Sequence, residues 1–251
     1  MSLFDLNGNV AVVTGASRGL GQAMAIALAE HGADIALVQR TNKDTATKNA
    51  VLQLGRRCEI ILCDLDDNEQ VKNIMPEVDR LFGHVEILVN NAGIQRRSPA
   101  VDFPEDDWDD VLNVNLKSVF LLCQQAGKRM LPKGYGKIIN ISSLMVFQGG
   151  ITVPAYAAAK GGVGQLTKAL SNEWAAHGVN VNSIAPGYMA TDMNEALMKN
   201  EVRSRQIMER IPAGRWGKPE DMKGAVVFLA SHASDYVNGH VLVVDGGWMG
   251  R

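Results

Sequence analysis

The chain has little of what several protein classes depend on. Cysteine occurs three times in 251 residues, as Cys58, Cys63 and Cys123. The number is odd and no CxxC spacing occurs, which argues against a disulfide framework and against a zinc site; reduced, buried thiols are expected. Neither sign of charge dominates, since 25 Lys+Arg face 27 Asp+Glu for a formal net charge of −2. The basic footprint that nucleic acid or an anionic membrane would need is therefore missing. No apolar run reaches the roughly 18 residues of a bilayer span, and the opening "MSLFDLNGN" has no basic segment ahead of a long apolar one. These gaps predict a cytoplasmic protein with a small-molecule substrate, no nucleic-acid partner, no membrane and no metal.

Short β-branched runs are present from end to end: 10–14, 34–38, 58–62, 86–90, 137–141, 179–185 and 240–245. Helix-length stretches separate them, at about 19–31, 43–54, 68–82, 108–130, 156–177 and 219–230. Seven such runs with helical spacers predict an α/β, Rossmann-type doubly wound fold, a seven-stranded parallel sheet with helices on both faces. One dinucleotide-binding catalytic domain over 1–251 is expected. The charged, Met-containing stretch 187–215, opened by Pro-Gly, reads as a substrate lid.

After the first run comes "TGASRGLG". Gly15, Gly19 and Gly21 would let the backbone approach a pyrophosphate at the positive end of the following helix. The spacing is Gly-x3-Gly-x-Gly, not GxGxxG. A carboxylate is also missing at the end of the second run, where "LVQRTNK" offers Gln39 and Arg40. With Arg18 in the Gly-rich turn, this favours NADP(H) over NAD(H), because guanidinium groups suit a 2′-phosphate and a carboxylate would repel it. Asp64, after the third run, would bind the adenine edge or cap the next helix.

"YAAAK" places Tyr156 and Lys160 four apart, on one face of a helix. A nearby ammonium favours a phenolate, bringing an ordinary pKa of about 10 toward neutrality. "INISS" ends the fifth run at Ser142 and Ser143, "NVN" offers Asn115, and "NNAG" forms the turn after the fourth run. With "PGYMAT", these motifs resemble the short-chain dehydrogenase/reductase family over essentially the whole chain. The resemblance implies a catalytic tetrad of Asn115, Ser143, Tyr156 and Lys160, with Ser143 chosen over Ser142 because it stands thirteen residues before Tyr156. Ser143 would polarise a carbonyl, Tyr156 would exchange the proton, Lys160 would lower the phenol's pKa and hold the nicotinamide ribose, and Asn115 would position a water. Hydride would pass directly to or from the substrate carbon. Besides the residues already named, Ser17, Leu20, Leu65, Asn90, Asn91, Ala92, Gly93, Pro186, Gly187, Met189 and Thr191 would line the cofactor.

A narrower resemblance, in stretches such as "IQRRSPAVDFPEDDWDD", "FQGGITVPAYAAAK" and "RIPAGRWGKPED", is to the 2-deoxy-D-gluconate 3-dehydrogenase and 2-keto-3-deoxygluconate 5-dehydrogenase group. It implies an open-chain sugar-acid substrate. Arg96 or Arg97 would then clamp the substrate carboxylate, the other reading being a salt bridge to the acidic run that follows. Gln148 would meet a substrate hydroxyl or serve its own loop, and Trp216 and Trp248 would pack helices or an interface. The resemblance also implies a homotetramer built through 108–130, 156–177 and the C-terminal stretch, with Arg251 near a neighbour's pocket. A broad carbonyl reductase is an alternative. So is a 3-ketoacyl carrier-protein reductase docking an acidic carrier on Arg96, Arg97, Lys199, Arg203 and Arg205. A non-catalytic dinucleotide sensor would have no need of Tyr156 with Lys160.

Overall fold

The computed structural model describes residues 2–251. Its strands are β1 (Val10–Thr14), β2 (Asp34–Gln39), β3 (Cys58–Leu62), β4 (Ile87–Asn90), β5 (Gly136–Ile141), β6 (Val179–Pro186) and β7 (Val241–Val244). All pair in parallel, in the order β3-β2-β1-β4-β5-β6-β7. The order reverses between β1 and β4, which opens a crevice at the carboxyl ends of the strands.

The helices are α1 (Gly19–Glu30), α2 (Ala46–Gln53), α3 (Asn68–Phe82), α4 (Glu105–Leu112), α5 (Ser118–Met130), α6 (Pro154–Trp174), α7 (Glu195–Lys199), α8 (Glu201–Arg210) and α9 (Lys223–Ala230). Strand alternation assigns the core to two faces. Ala11 and Val13 of β1 join Met24 and Leu28 of α1 and Val226 and Leu229 of α9. Val10 and Val12 join Val71 and Ile74 of α3, Leu122 of α5 and Val163 of α6. Both faces being covered, β1, β5 and β6 are buried throughout, which is why they read as unbroken apolar runs.

The sequence departs from expectation at helix 108–130. It is two helices, α4 and α5, joined by a π-helical turn, Asn113–Lys117. Asn115 lies at the middle of that wider turn, and such turns recur at functional sites. The 219–230 helix likewise begins with a 3-10 turn, Pro219–Met222, and the stretch 187–215 contains α7 and α8. Among the described residues no helix is long and apolar enough to cross a membrane.

Candidate active site

A cleft of about 1000 Å³ opens over the carboxyl ends of β1, β4, β5 and β6. At its floor the Thr14 hydroxyl accepts hydrogen bonds from the Asn91 and Ala92 N–H groups, both at 3.0 Å. The Asn91 amide donates in return to the carbonyls of Thr14 (3.0 Å) and Gly15 (3.1 Å). These bonds stitch the glycine-rich turn to the loop after β4. Gly15 has φ 63°, and a Cβ on Gly21 would fall 2.4 Å from the Gly15 carbonyl oxygen, so glycine is required at both.

α1 begins at Gly19 with no side chain capping its first-turn N–H groups, which leaves an uncompensated positive helix end facing the cleft. At the end of β2, the buried Gln39 donates from Nε2 to Thr41 O (2.8 Å) and Asp44 O (3.0 Å). Its Oε1 is buried without a partner. Arg40 and Arg18 line the same end of the cleft. An open helix terminus, an orphaned amide carbonyl and two guanidinium groups in one cleft fit an adenine dinucleotide.

The expected cofactor residues from Gly15 through Thr191 line this cleft, with one exception. Asn90 turns away into the sheet, where its Nδ2 donates to Asn140 Oδ1 (2.8 Å) and Cys123 Sγ (3.3 Å), because strand alternation aims it at α5. Asp64 lines the cleft and does not cap α3, a role taken by Asp67. Burial pushes each of the three free thiols up to about 12, leaving them unreactive.

Ser143, Tyr156 and Lys160 converge on the cleft. Ser142 is tied down instead, donating to Ile184 O (3.1 Å) and accepting from the Ser183 hydroxyl (2.6 Å), whereas the Ser143 hydroxyl bonds the Tyr156 phenol. Burial is the largest influence on the Tyr156 phenol and raises its pKa; the Ser143 hydroxyl and then the Arg97 charge pull it back down. The Lys160 Nζ lies 5.8 Å from the Tyr156 ring centroid and donates to Ile141 O at 2.6 Å. Burial lowers its ammonium to about 8. Arg97 thus joins Lys160 as a second cation beside the phenol, one the sequence did not point to.

Asn115 stands behind the cleft, fully buried. Its Oδ1 accepts from Ile94 N and its Nδ2 donates to Ile94 O, both at 2.8 Å. These two bonds make the side chain a clamp on the β4 loop and leave one amide N–H and one carbonyl lone pair without a partner. A Cβ on Gly93 would come 3.0 Å from Asn115 Oδ1 and 3.8 Å from Lys160 Nζ, so the clamp sets the loop directly against the lysine.

The two adjacent arginines have different roles. Arg96 pairs with Asp107 (3.2 Å) and Asp110 (3.8 Å) of α4, the acidic run that follows it. Among the described residues Arg97 bonds only Gln95 Oε1 of its own loop, at 2.8 Å, and its charge reaches Tyr156. This loop is tied to the segment before α6 by Ser98 N–H donating to Thr152 O at 3.1 Å. Thr152 has φ 64°, the only positive value at a non-glycine among the described residues.

Sequence reasoning missed the far wall. Trp248 packs against Tyr188 (4.6 Å between ring centroids), donates from Nε1 to Gln148 Oε1 (3.2 Å) and carries the Arg210 guanidinium 4.0 Å above its ring. Trp216 does pack as expected, edge-on to Tyr188. Arg203, Gln206 and Arg210 of α8 also line the cleft. Only their i, i+3 and i, i+7 spacing on one helix face gave any signal.

Comparison with known proteins agrees with this geometry. A family model described as "Enoyl-(Acyl carrier protein) reductase" matches residues 15–249. The 2-dehydro-3-deoxy-D-gluconate 5-dehydrogenase of Escherichia coli (strain K12) is 52% identical, over 100% of this chain and 99% of its own. Gluconate 5-dehydrogenase of Gluconobacter oxydans (strain 621H) is 42% identical, over 98% of this chain and 96% of its own. The crystal structure of a gluconate 5-dehydrogenase from Burkholderia cenocepacia J2315, in complex with NADP and tartrate, has a TM-score of 0.94 at 41% identity, covering 99% of this chain and 98% of that one. The chain is an oxidoreductase and belongs to the short-chain dehydrogenase/reductase family.

Proposed function

We propose that this enzyme interconverts a secondary alcohol and a ketone on a sugar acid, using NADP(H) in preference to NAD(H). The observation that carries this reading is a cleft that fits a dinucleotide, brings Ser143, Tyr156 and Lys160 together, and is lined by two arginines, Arg97 and Arg210, with no carboxylate partner among the described residues. The names of the two relatives given above, both of gluconate-type acids, support the substrate class. Arg18, Arg40 and the lack of a carboxylate at position 39 support the preference for a 2′-phosphate.

When bound, the nicotinamide supplies or accepts the hydride. Ser143 donates a hydrogen bond to the substrate oxygen. Tyr156 gives its proton to that oxygen in reduction and removes one in oxidation. Because burial holds the phenol up, it stays protonated near neutral pH; reduction is then ready to proceed, and alcohol oxidation gains as pH rises. Lys160 orients the ribose, Asn115 holds the loop that faces it, and Arg97 meets substrate oxygens beside the reacting carbon. The stretch 187–215 closes over the substrate as a lid.

Carrier-protein docking is not favoured, since Lys199 pairs with Glu195 (2.6 Å) and Arg205 with Glu209 (4.0 Å) on their own helices. A homotetramer in the cytoplasm completes the reading. Trp108 on α4 and Phe120 on α5, 37% and 41% exposed, offer apolar surface for assembly, and free buried thiols suit a reducing compartment. A monomeric mass by light scattering would refute the assembly.

The deciding experiment measures kcat/KM with NADPH and NADH on keto sugar acids and neutral ketones. Acids should win, and NADPH should outperform NADH. Neutral ketones doing equally well would end the sugar-acid reading. Tyr156→Phe should lower turnover by roughly 10²- to 10⁴-fold with cofactor affinity nearly unchanged; substantial residual rate would remove its proton-transfer role.

A further inference from the structure

We propose that Arg210 binds the substrate's carboxylate and that Trp248 is the residue that positions it. This rests on the sugar-acid reading above. Arg210 closes α8, lines the cleft and has its guanidinium carbon 4.0 Å from the Trp248 ring centroid. At that distance the guanidinium is held over the ring face by a cation–π contact, and its N–H groups, which that contact does not use, can make two bonds to a carboxylate. Its neighbours on α8 are already engaged: Arg203 donates to Gln206 Oε1 (3.1 Å) and Arg205 pairs with Glu209. Arg210 has no ion pair among the described residues.

Trp248 is itself held on several sides. It is 5% exposed, lies against Tyr188, and donates its indole N–H to Gln148 Oε1 at 3.2 Å. That bond occupies the Gln148 carbonyl and leaves the amide nitrogen as the group able to serve a substrate hydroxyl. One indole therefore orients two substrate-facing groups from distant parts of the chain, a cation on its face and an amide at its edge.

Arg97 is the competing carboxylate site, and its position argues against it. Its charge bears on the Tyr156 phenol, so a carboxylate held there would sit beside the reacting oxygen and cancel the charge that eases proton loss. Arg210 exerts no resolved influence on that phenol. With the carboxylate at Arg210, the reacting carbon lies further along the chain. Oxidation at position 5, the position for which the relatives are named, leaves four carbon–carbon bonds, roughly 5 Å, between the reacting carbon and the carboxyl carbon, so the acid group need not sit beside Tyr156.

The test compares a keto sugar acid with its uncharged carboxamide, at saturating NADPH, for wild type, Arg210→Ala, Arg210→Gln, Arg97→Ala, Trp248→Leu and Trp248→Phe. NADPH binding, followed by fluorescence, confirms that each variant is folded. Both Arg210 variants should lose about 10- to 100-fold in kcat/KM on the acid, mainly through KM, and little on the carboxamide. Trp248→Leu should follow Arg210→Ala, while Trp248→Phe, which keeps a ring face, should retain the preference for the acid. Arg97→Ala should slow both substrates alike, through kcat. Equal losses on both substrates in the Arg210 variants, no loss at all, or an acid preference that vanishes in Arg97→Ala instead would overturn the assignment while leaving the sugar-acid reading intact. A wild type that does not prefer the acid would overturn both.

Discussion

At neutral pH Lys160 carries a charge that its surroundings disfavour. Burial lowers its ammonium from the usual 10.5 to about 8. Below pH 8 folded and unfolded chains both hold the proton, and the folded state bears the full cost of the buried charge. From pH 8 to 10.5 the folded chain releases the proton while the unfolded chain keeps it, so stability rises with pH across that window. Measured by urea unfolding, the wild type should gain about 3 kcal/mol relative to Lys160→Met between neutral pH and pH 10.5. Parallel curves would show that the ammonium is not the titrating group. At this scale the sequence was most legible where chemistry repeats at short range: Tyr156 and Lys160 one helical turn apart, and Ser143 at a fixed distance before them. It could not separate Arg96 from Arg97, because which one meets α4 depends on the loop's path. Nor could it join Trp248 to Gln148, a hundred residues earlier.

Between elements, the π-helical turn and the Arg18–Asp192 pair show what local patterns leave out. The apolar period over 108–130 is compatible with one helix, since a single inserted residue at Asn113–Lys117 barely disturbs it. What favours the turn is the Asn115 clamp on Ile94, a contact across the crevice. The Arg18 Nε lies 3.0 Å from Asp192 Oδ2, linking the cofactor turn to the start of 187–215; both side chains are more than two-thirds exposed, so the pair is weak. Asp192→Ala should free Arg18 for the 2′-phosphate and tighten NADPH binding by about two- to fivefold at low salt. NADH affinity should not change. A parallel change for both cofactors in fluorescence titration would remove Arg18 from the phosphate site.

Across the whole molecule, the seven-stranded parallel sheet and its two covered faces follow from buried β-branched runs with helical spacers, and these were visible in the sequence. The far wall of the cleft was not. α8, Tyr188 and Trp248 meet there through tertiary packing alone, and nothing local marks them. Thr152 raises a different matter, that of heat resistance. A β-branched residue at φ 64° stores roughly 1–2 kcal/mol that asparagine would largely avoid. Thr152→Asn should therefore raise the melting temperature by about 2–4 °C and lower kcat, because the loop bearing Arg97 would lose its tension against the start of α6. A lower melting temperature, or a gain in both quantities, would refute this. If the trade holds, selection has left a thermostabilising substitution unused two residues before the helix that carries the proton donor, and a laboratory screen for thermostability alone would find it at the expense of turnover.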